Sequence, residues 1–325
     1  MTQYNKKTLP FILCNNRKEQ QLLLLINKEI DINYQNKDGY TILHLVCENK
    51  MSKVALKILK RDDVDINLQT NDGDTILGMA CFHKMETVVM KILDKYKESI
   101  DINLHNKTNT DALYLACVSK MENVVLKILT IYEKTINVNL QNDNNTNALF
   151  FMCYHKMENS MIKILKRDDI NINIKNVCGN TILHMVCKIN MEEIALIILE
   201  KYKKSININL QCDNGNTILH MACQYKMENV IMKILERDDV NINLQDDDGG
   251  TILHILCLYK MEKIILKILE RDDVNINLQD INGETISHII VQNNMDDLIT
   301  KILERDDIDV NLQNNNGLSV LSQIF

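Results

Sequence analysis

A seven-residue string that recurs along the chain limits the possible fold more than any other feature of the sequence. Thr-Ile-Leu-His-x-x-Cys occurs four times, and weaker copies of it occur four more times. Their first residues, here called anchors, are Thr41, Thr75, Asp111, Asn147, Thr181, Thr217, Thr251 and Thr285. Successive anchors are 34 or 36 residues apart. A fixed period of this length is typical of repeat proteins, in which each unit packs only against its neighbours.

Two flanking segments extend the series beyond the eight anchors. Thr8, followed by Cys14, lies 33 residues before the first anchor, and Ser319 lies 34 residues after the last. We therefore expect an N-terminal capping repeat over residues 1–40, eight full repeats over 41–318 and a truncated repeat over 319–325. This makes about nine repeats plus a truncated one, with no linker and no second domain.

Each unit predicts two helices and a turn. The anchor is a good N-cap, and the apolar periodicity after it predicts a first helix of about nine residues. A Lys-Met-Glu step then leads into a second amphipathic helix, as at 230–235. An extended Asn-Ile-Asn-Leu-Gln piece and a polar turn follow, with Gly two residues before the next anchor. Asn109 and Asn145 replace that Gly in two repeats, and Asn tolerates positive φ best among the other residues, so we expect the same turn throughout.

These features resemble the ankyrin repeat, a β-turn plus two antiparallel helices with a Thr-Pro-Leu-His signature and a period of about 33 residues. Residues 217–250 match it closely, with Thr217 to His220 at the signature and Gly249 in the turn. The resemblance covers residues 8–325 and implies an all-α ankyrin-repeat solenoid of helix-turn-helix units joined by β-turn loops. Two departures stand out, because the signature Pro is Ile or Ala and the usual Gly between the two helices is Lys or Asn.

Charge and composition exclude several classes of partner and location. The net charge of −7 gives no electrostatic support for a sequence-independent grip on nucleic acid or on an anionic membrane. No apolar run is long enough for a signal peptide or a membrane span. The ten Cys lack the dense spacing of a disulfide scaffold and fit a reducing compartment. We expect a cytoplasmic protein that is not secreted and that binds neither nucleic acid nor membrane.

The His-x-x-Cys pairs, such as His44 with Cys47, require a metal site to be weighed against packing. Each pair lies on one helical face. Zinc needs about four ligands within ~2.3 Å, whereas the axes of neighbouring helices are ~8 to 10 Å apart and the pairs recur once per repeat. We favour the interpretation that Cys is a small buried residue and that His forms hydrogen bonds to the anchor Thr and the neighbouring turn. The sequence therefore predicts no metal and no cofactor.

Three further repeated features are interpreted as structural. Met recurs ten residues after every anchor, where a core position is favoured over an adaptable binding groove. The acidic run at 246–248 lacks the loop spacing and the terminal Glu of an EF-hand. Arg-Asp-Asp, as at Arg61, follows the second helix and is interpreted as a surface turn of little energetic weight.

Catalytic motifs are missing from the sequence. It contains no Gly-rich phosphate loop and no Gly-x-Ser-x-Gly elbow. His83, His105 and His155 lie outside the repeated His position, and none has a Ser or Cys nearby in the context of a nucleophile. We expect that the chain is not an enzyme.

The candidate binding residues lie seven and eight residues after the anchors. The ankyrin resemblance implies that partners contact the last exposed residues of the first helix and the turn positions that flank Gly. Aromatic and apolar side chains, which are enriched at interfaces, interrupt what would be a polar face. The predicted set, here called the candidate stripe, is Phe82, His83, Val118, Tyr154, His155, Tyr225, Leu258 and Tyr259. The alternative, that these side chains lie half-buried over neighbouring helices, stays open.

The function that this sequence favours is a non-catalytic protein–protein interaction scaffold, a monomer that binds an unidentified partner protein through the concave face. The alternatives are a receptor or sponge for a small molecule, which an enclosed pocket would favour, and a purely structural component. Richness in Asn, Ile and Lys resembles ankyrin proteins of large DNA viruses of amoebae and of some protists, which implies a host protein as partner. Because the chain ends inside a first helix, we expect no F-box adaptor segment.

Overall fold

The computed structural model describes residues 8–26 and 30–324, and the regular structure in these ranges is helical apart from four isolated antiparallel bridges. The all-α expectation is therefore confirmed for the described part of the chain. The chain divides into two compact units between Ile170 and Asn171, and each is described by itself. Residues 1–7, 27–29 and Phe325, which the predicted terminal repeats include, lie outside the described residues.

The first unit contains ten of the described helices, arranged in five helix-turn-helix pairs. They are α1 (Leu9–Asn15), α2 (Glu19–Leu25), α3 (Ile42–Glu48), α4 (Ser52–Ile58), α5 (Ile76–Phe82), α6 (Glu86–Lys95), α7 (Ala112–Val118), α8 (Glu122–Ile131), α9 (Ala148–Tyr154) and α10 (Glu158–Ile164). The first helix of each pair packs on the first helix of the next pair, and the second helix packs on the second. Two helical layers result, with the core between them.

The second unit repeats this arrangement. Its described helices are α11 (Ile182–Lys188), α12 (Glu192–Lys201), α13 (Ile218–Gln224), α14 (Glu228–Leu235), α15 (Ile252–Leu258), α16 (Glu262–Leu269), α17 (Ile286–Gln292), α18 (Asp296–Leu303) and α19 (Val320–Ile324). Here α11 packs on α13, α13 on α15 and α15 on α17, while α12 packs on α14 and α16 on α18.

The first helices are shorter than the sequence predicts, because a positive-φ residue ends them early. Helix α3 has seven residues instead of about nine, and its C-cap is Asn49. Lys50 follows at φ 58°. Its backbone N–H donates to Cys47 O at 3.0 Å, and the N–H of Met51 donates to Val46 O at 2.9 Å. These two bonds form a Schellman motif, whose left-handed residue is usually Gly.

The turn before each anchor keeps one geometry in all repeats. Gly39 has φ 81° there, while Asn109 and Asn145 have φ 57° and 54°. The prediction that Asn preserves the turn is therefore confirmed. A Cβ on Gly39 would lie 2.5 Å from the backbone N of Asn71 in the next repeat, so close approach as well as φ requires Gly at that position.

Cys and Met fill repeated core positions. The Cys that follow the anchors by six residues are all buried, as is Cys14. Burial raises the pKa of the Cys47 and Cys153 thiols to about 12. Because only the thiolate is a good nucleophile or metal ligand, these thiols behave as small apolar groups. The Met ten residues after the anchors are buried in seven of eight repeats, and Met261 is half-buried, so the core interpretation is confirmed.

Side-chain amides connect the extended pieces of successive repeats. In the first unit Asn33 Nδ2 donates to Asp63 O at 2.7 Å, and its Oδ1 accepts from the N–H of Asp65 at 2.9 Å. Asn67 makes the same two bonds to Ser99 O and to the N–H of Asp101. One Asn side chain thus satisfies a carbonyl and an N–H of the next repeat, which gives the Asn richness a structural use.

At Arg237 the arginine of Arg-Asp-Asp connects two repeats, so the interpretation of a surface turn of little weight is wrong at that copy. Arg237 is 7% exposed and forms two parallel bonds to Asp239, from Nε to Oδ1 at 2.8 Å and from Nη2 to Oδ2 at 2.7 Å. Its Nη1 also donates to Lys203 O of the preceding repeat at 2.8 Å, and its Nη2 to Ile206 O at 3.4 Å. Such a planar, bidentate group holds two repeats together.

Candidate functional site

The candidate stripe divides into exposed and half-buried side chains. Phe82, Tyr154 and Leu258, which share the position seven residues after the anchor, are 57%, 66% and 63% exposed. Tyr259 is 39% exposed. The other four residues, His83, Val118, His155 and Tyr225, are half-buried. Half-burial over a neighbouring helix therefore describes one part of the stripe, and large solvent-exposed apolar surface describes the other.

In the first unit, stripe residues pair within a repeat and connect to the repeat before. Phe82 and His83 meet edge to face with ring centroids 5.1 Å apart, and Tyr154 and His155 do the same at 5.1 Å. His155 Nε2 lies 3.2 Å from the carbonyl O of Val118, to which it donates. His155 therefore has a structural role beside its place on the surface.

The rings of the last two repeats of this unit form one continuous cluster. Phe151 lies 5.2 Å from Tyr114, 6.3 Å from His155 and 6.5 Å from Tyr154 between ring centroids. A hydrogen bond holds the Tyr114 ring in position, since its hydroxyl O accepts from Asn142 Nδ2 at 2.7 Å. Edge-to-face packing of this kind holds Tyr154 in place without burying it.

A groove of about 490 Å³ lies beside Phe82. It is lined by Tyr40, Glu48, Asp74, Met79, Phe82, His83, Asn106, Thr108, Thr110 and Leu115. The lining thus combines turn residues from before three anchors with side chains from α3, α5 and α7. It contains two carboxylates and neither Lys nor Arg.

Most of this lining lies outside the residues that the sequence predicts for the site. Met79 and Leu115 lie four residues after their anchors, and Phe151 holds the same position one repeat later. Residues four apart share one face of a helix, so each lies beside the stripe residue eight after its anchor. The four-residue spacing could therefore have predicted Met79 and Leu115 from the sequence. Tyr40 and Asp74 belong to the turn positions flanking Gly. The ankyrin resemblance predicts that these positions contact partners, but it does not single out individual residues.

In the second unit the stripe is built differently. Lys226 Nζ lies 4.8 Å from the centroid of the Tyr259 ring, a cation–π contact between the loop of one repeat and the first helix of the next. Lys226 itself has φ 55°. The contact covers one face of Tyr259, while Leu258 beside it stays exposed.

The repeated His belongs to the framework. His220 Nδ1 accepts from the backbone N–H of Thr217 at 3.2 Å, and its Nε2 lies 3.3 Å from Gly250 O, which precedes the next anchor. The prediction that this His bonds the anchor Thr and the neighbouring turn is confirmed at His220, His254 and His288, where both ring nitrogens are used. In His44 and His184, Nδ1 bonds the anchor Thr, but Nε2 has no hydrogen-bond partner within the described part of the chain. Among the described residues no group of three or more His, Cys, Asp and Glu could hold an ion.

Comparison with known proteins decides the family. The family model described as ankyrin repeats (3 copies) matches residues 11–104 and 149–246, more than half of the chain. This chain belongs to the ankyrin-repeat family. The ankyrin-repeat solenoid expected from the sequence is thereby confirmed, and domains of this family generally mediate protein–protein interaction. Ankyrin-repeat proteins are typically binding scaffolds without enzymatic activity.

Other comparisons are more distant. Among solved structures, the ankyrin repeat domain of Bcl-3, described as a unique member of the IkappaB protein family, is similar with a TM-score of 0.49 and 17% sequence identity. The similarity covers 67% of this ankyrin-repeat chain and 95% of that chain. No curated protein matches the sequence. Within the described residues, no helix of this ankyrin-repeat chain has the length and apolar character needed to cross a membrane.

Proposed function

We propose that this protein is a non-catalytic scaffold that binds a partner protein through the concave face, with the candidate stripe as the contact surface. One observation carries the proposal. Phe82, Tyr154 and Leu258 expose more than half of their side chains at one repeated position, in a chain that buries most of its repeated apolar positions. Burying exposed aromatic rings and Leu side chains against a partner removes apolar surface from water, which is favourable, and aromatic residues are enriched at protein interfaces.

Preorganisation supports the same proposal. Each ring is positioned by its own framework: Phe82 by His83, and Tyr154 by Phe151 and His155. A surface fixed before binding loses little conformational entropy when the complex forms. We further propose that the protein acts as a monomer in the cytoplasm. For the viral source that the composition suggests, the partner is a host protein; a protist source implies an endogenous one.

Affinity capture tests the proposal. The wild-type chain, a Tyr225→Ala/Leu258→Ala variant and a Leu24→Ala control are immobilised and exposed to lysate of the native source or host. Leu24 is a matched control, because it is 69% exposed but lies on α2, outside the stripe. We expect wild type and Leu24→Ala to retain the same protein, identified by mass spectrometry, and the double variant to lose it while melting at the same temperature.

The test also separates the two alternatives. A purely structural component would retain no partner that depends on the stripe. A small-molecule receptor would lose a metabolite, not a protein, when the stripe is truncated, and native mass spectrometry of the purified chain would show that mass. The groove beside Phe82 is of a size that small ligands occupy, so this arm of the test is informative.

A further inference from the structure

One departure from the repeat lies next to the groove beside Phe82 and contacts its lining residue Leu115. The fourth residue of the string, His in five repeats, is Gly78 here. A Cβ at Gly78 would lie 3.1 Å from Leu115 Cδ1 of the next repeat and 2.9 Å from Thr75 Oγ1. Leu115 thus packs where other repeats hold a side chain. With Met79 it supplies the apolar part of the lining.

The charge of this groove is negative. Glu48 and Asp74 line it, and no cationic side chain does. Glu48 is exposed, and its carboxylate has no hydrogen bond or ion pair within the described part of the chain. Asp74 accepts from Asn106 Nδ2 at 2.9 Å through one carboxylate oxygen, Oδ1. Both carboxylates are available to a ligand.

The pKa of Tyr40 also reflects the negative charge around the groove. Its pKa is raised, first by burial and then by Glu48, Asp74, Asp72 and Asp38. Two lysines are near. Lys107 Nζ forms an ion pair with Asp72 at 3.2 Å. The pKa of His83 is lowered by burial and by the charge of Lys50, while the charge of Glu48 raises it. Neither lysine lines the groove, so the negative charge of Glu48 and Asp74 can be neutralised there by a cationic group of a ligand.

Aromatic faces stand beside these carboxylates. Tyr40 and Phe82 both line the groove, and Phe82 is held by its edge-to-face contact with His83. A guanidinium or ammonium group gains from carboxylates and from aromatic faces at once, and its methylene stem packs on apolar surface. An anionic segment would instead meet Glu48 and Asp74 with like charge.

We propose that this groove binds a basic side chain, Arg or Lys, of the partner protein, with a neighbouring apolar side chain of the same segment over Met79 and Leu115. The inference rests on the proposed function, because the groove adjoins the candidate stripe at Phe82 and His83. It adds the chemistry of the partner: a cationic and apolar segment, recognised by Glu48, Asp74 and Tyr40.

Selection from a random peptide library displayed on phage tests this directly. The full chain is the bait, and enriched peptides are synthesised and titrated by fluorescence anisotropy. Three baits are compared: wild type, Glu48→Gln/Asp74→Asn, and Glu133→Gln, a control carboxylate that is exposed at the end of α8, outside the groove. Asn at 74 keeps an acceptor for Asn106. Glu48 is exposed, so Glu48→Gln alone serves should the double variant unfold.

The outcomes distinguish this inference from the proposed function. We expect enriched peptides to place Arg or Lys beside an apolar residue, and to bind the double variant at least tenfold more weakly while binding Glu133→Gln unchanged. The groove proposal is contradicted if the enriched peptides lack a basic residue. It is also contradicted if they bind the double variant as tightly as wild type but bind Tyr154→Ala more weakly; this second result would still support the candidate stripe as a binding surface. No enrichment on any bait contradicts both.

Discussion

His254 and Thr251 form a reciprocal cap at the start of α15. Nδ1 of His254 lies 3.1 Å from the backbone N of Thr251 and 2.8 Å from its Oγ1. The backbone N–H can only donate, so Nδ1 is the acceptor and the proton of the neutral ring sits on Nε2. Nε2 then donates to Glu284 O at 3.0 Å, in the residue before the next anchor. One neutral ring thus caps its own helix and connects two repeats.

Protonation of this ring would break the cap, which predicts loss of stability in acid. Burial lowers the pKa of His44 and His184 to about 4, and also lowers the pKa of His220 and His254. Above pH 6.5 the rings are neutral in both states. As pH falls from 6.5 towards 4, these His rings bind protons in the unfolded chain but stay neutral in the folded chain, so the free energy of unfolding decreases. For His44 and His184 the shift corresponds to about 3 kcal/mol each.

Two measurements check this prediction. Ring proton NMR should show His44 and His184 still neutral at pH 5.5 and should show His220 and His254 titrating below 6.5, and urea unfolding should give a lower free energy at pH 5 than at pH 7. Asp111 acts in the opposite sense, because burial raises its pKa to about 6, and it reduces the net effect. Titration of the four rings near pH 6.5 would show that they are not held neutral by the fold.

Replacing the inter-helix lysines with Gly should stabilise the protein. Lys50 and Lys120 both have φ 58°, where a side chain costs about 1 kcal/mol and Gly costs none. We expect Lys50→Gly to raise the free energy of unfolding by about 0.5 to 1 kcal/mol, and Lys120→Gly to do the same. Lys53→Gly, inside α4, is the matched control and should lower it by about 1 kcal/mol. Equal losses in all three variants would contradict the Schellman assignment.

The arginine connectors should differ in weight according to their carbonyl partners. Arg237 bonds Lys203 O and Ile206 O besides Asp239, whereas Arg271 bonds Asp273 and has no carbonyl partner among the described residues. Arg237→Ala leaves two carbonyls unpaired and should cost about 2 to 3 kcal/mol, and Arg271→Ala under about 1 kcal/mol. Chemical unfolding of the two variants measures the difference. A cost under about 1 kcal/mol for Arg237→Ala as well would support the surface-turn interpretation.

Much of the fold was predictable because its determinants are local. The anchor Thr, the turn Gly and the Asn that tolerate positive φ each act within a few residues, so the period and the turn geometry can be seen in the sequence. The partners of Arg237 lie 31 and 34 residues away and are backbone carbonyls, which carry no residue signature. For that reason the sequence could not distinguish a connector from a surface turn.

The candidate site was predictable in position and not in chemistry. The spacing from the anchor located Phe82 and Tyr154, which are exposed. The acidic neighbours of Phe82 come from the preceding repeat: Glu48 ends its first helix, and Asp74 precedes the anchor of the repeat that contains Phe82. Only packing between repeats brings these residues to one groove.

Calorimetric titration of the captured partner into wild type and into a Phe82→Ala/Tyr154→Ala variant tests the central claim most directly. Both side chains are more than half exposed, so their truncation removes little buried surface from the folded chain. The stripe predicts a Kd at least tenfold weaker with an unchanged Tm. An unchanged Kd, or a Tm that falls as far as that of a core variant such as Val88→Ala, would contradict it.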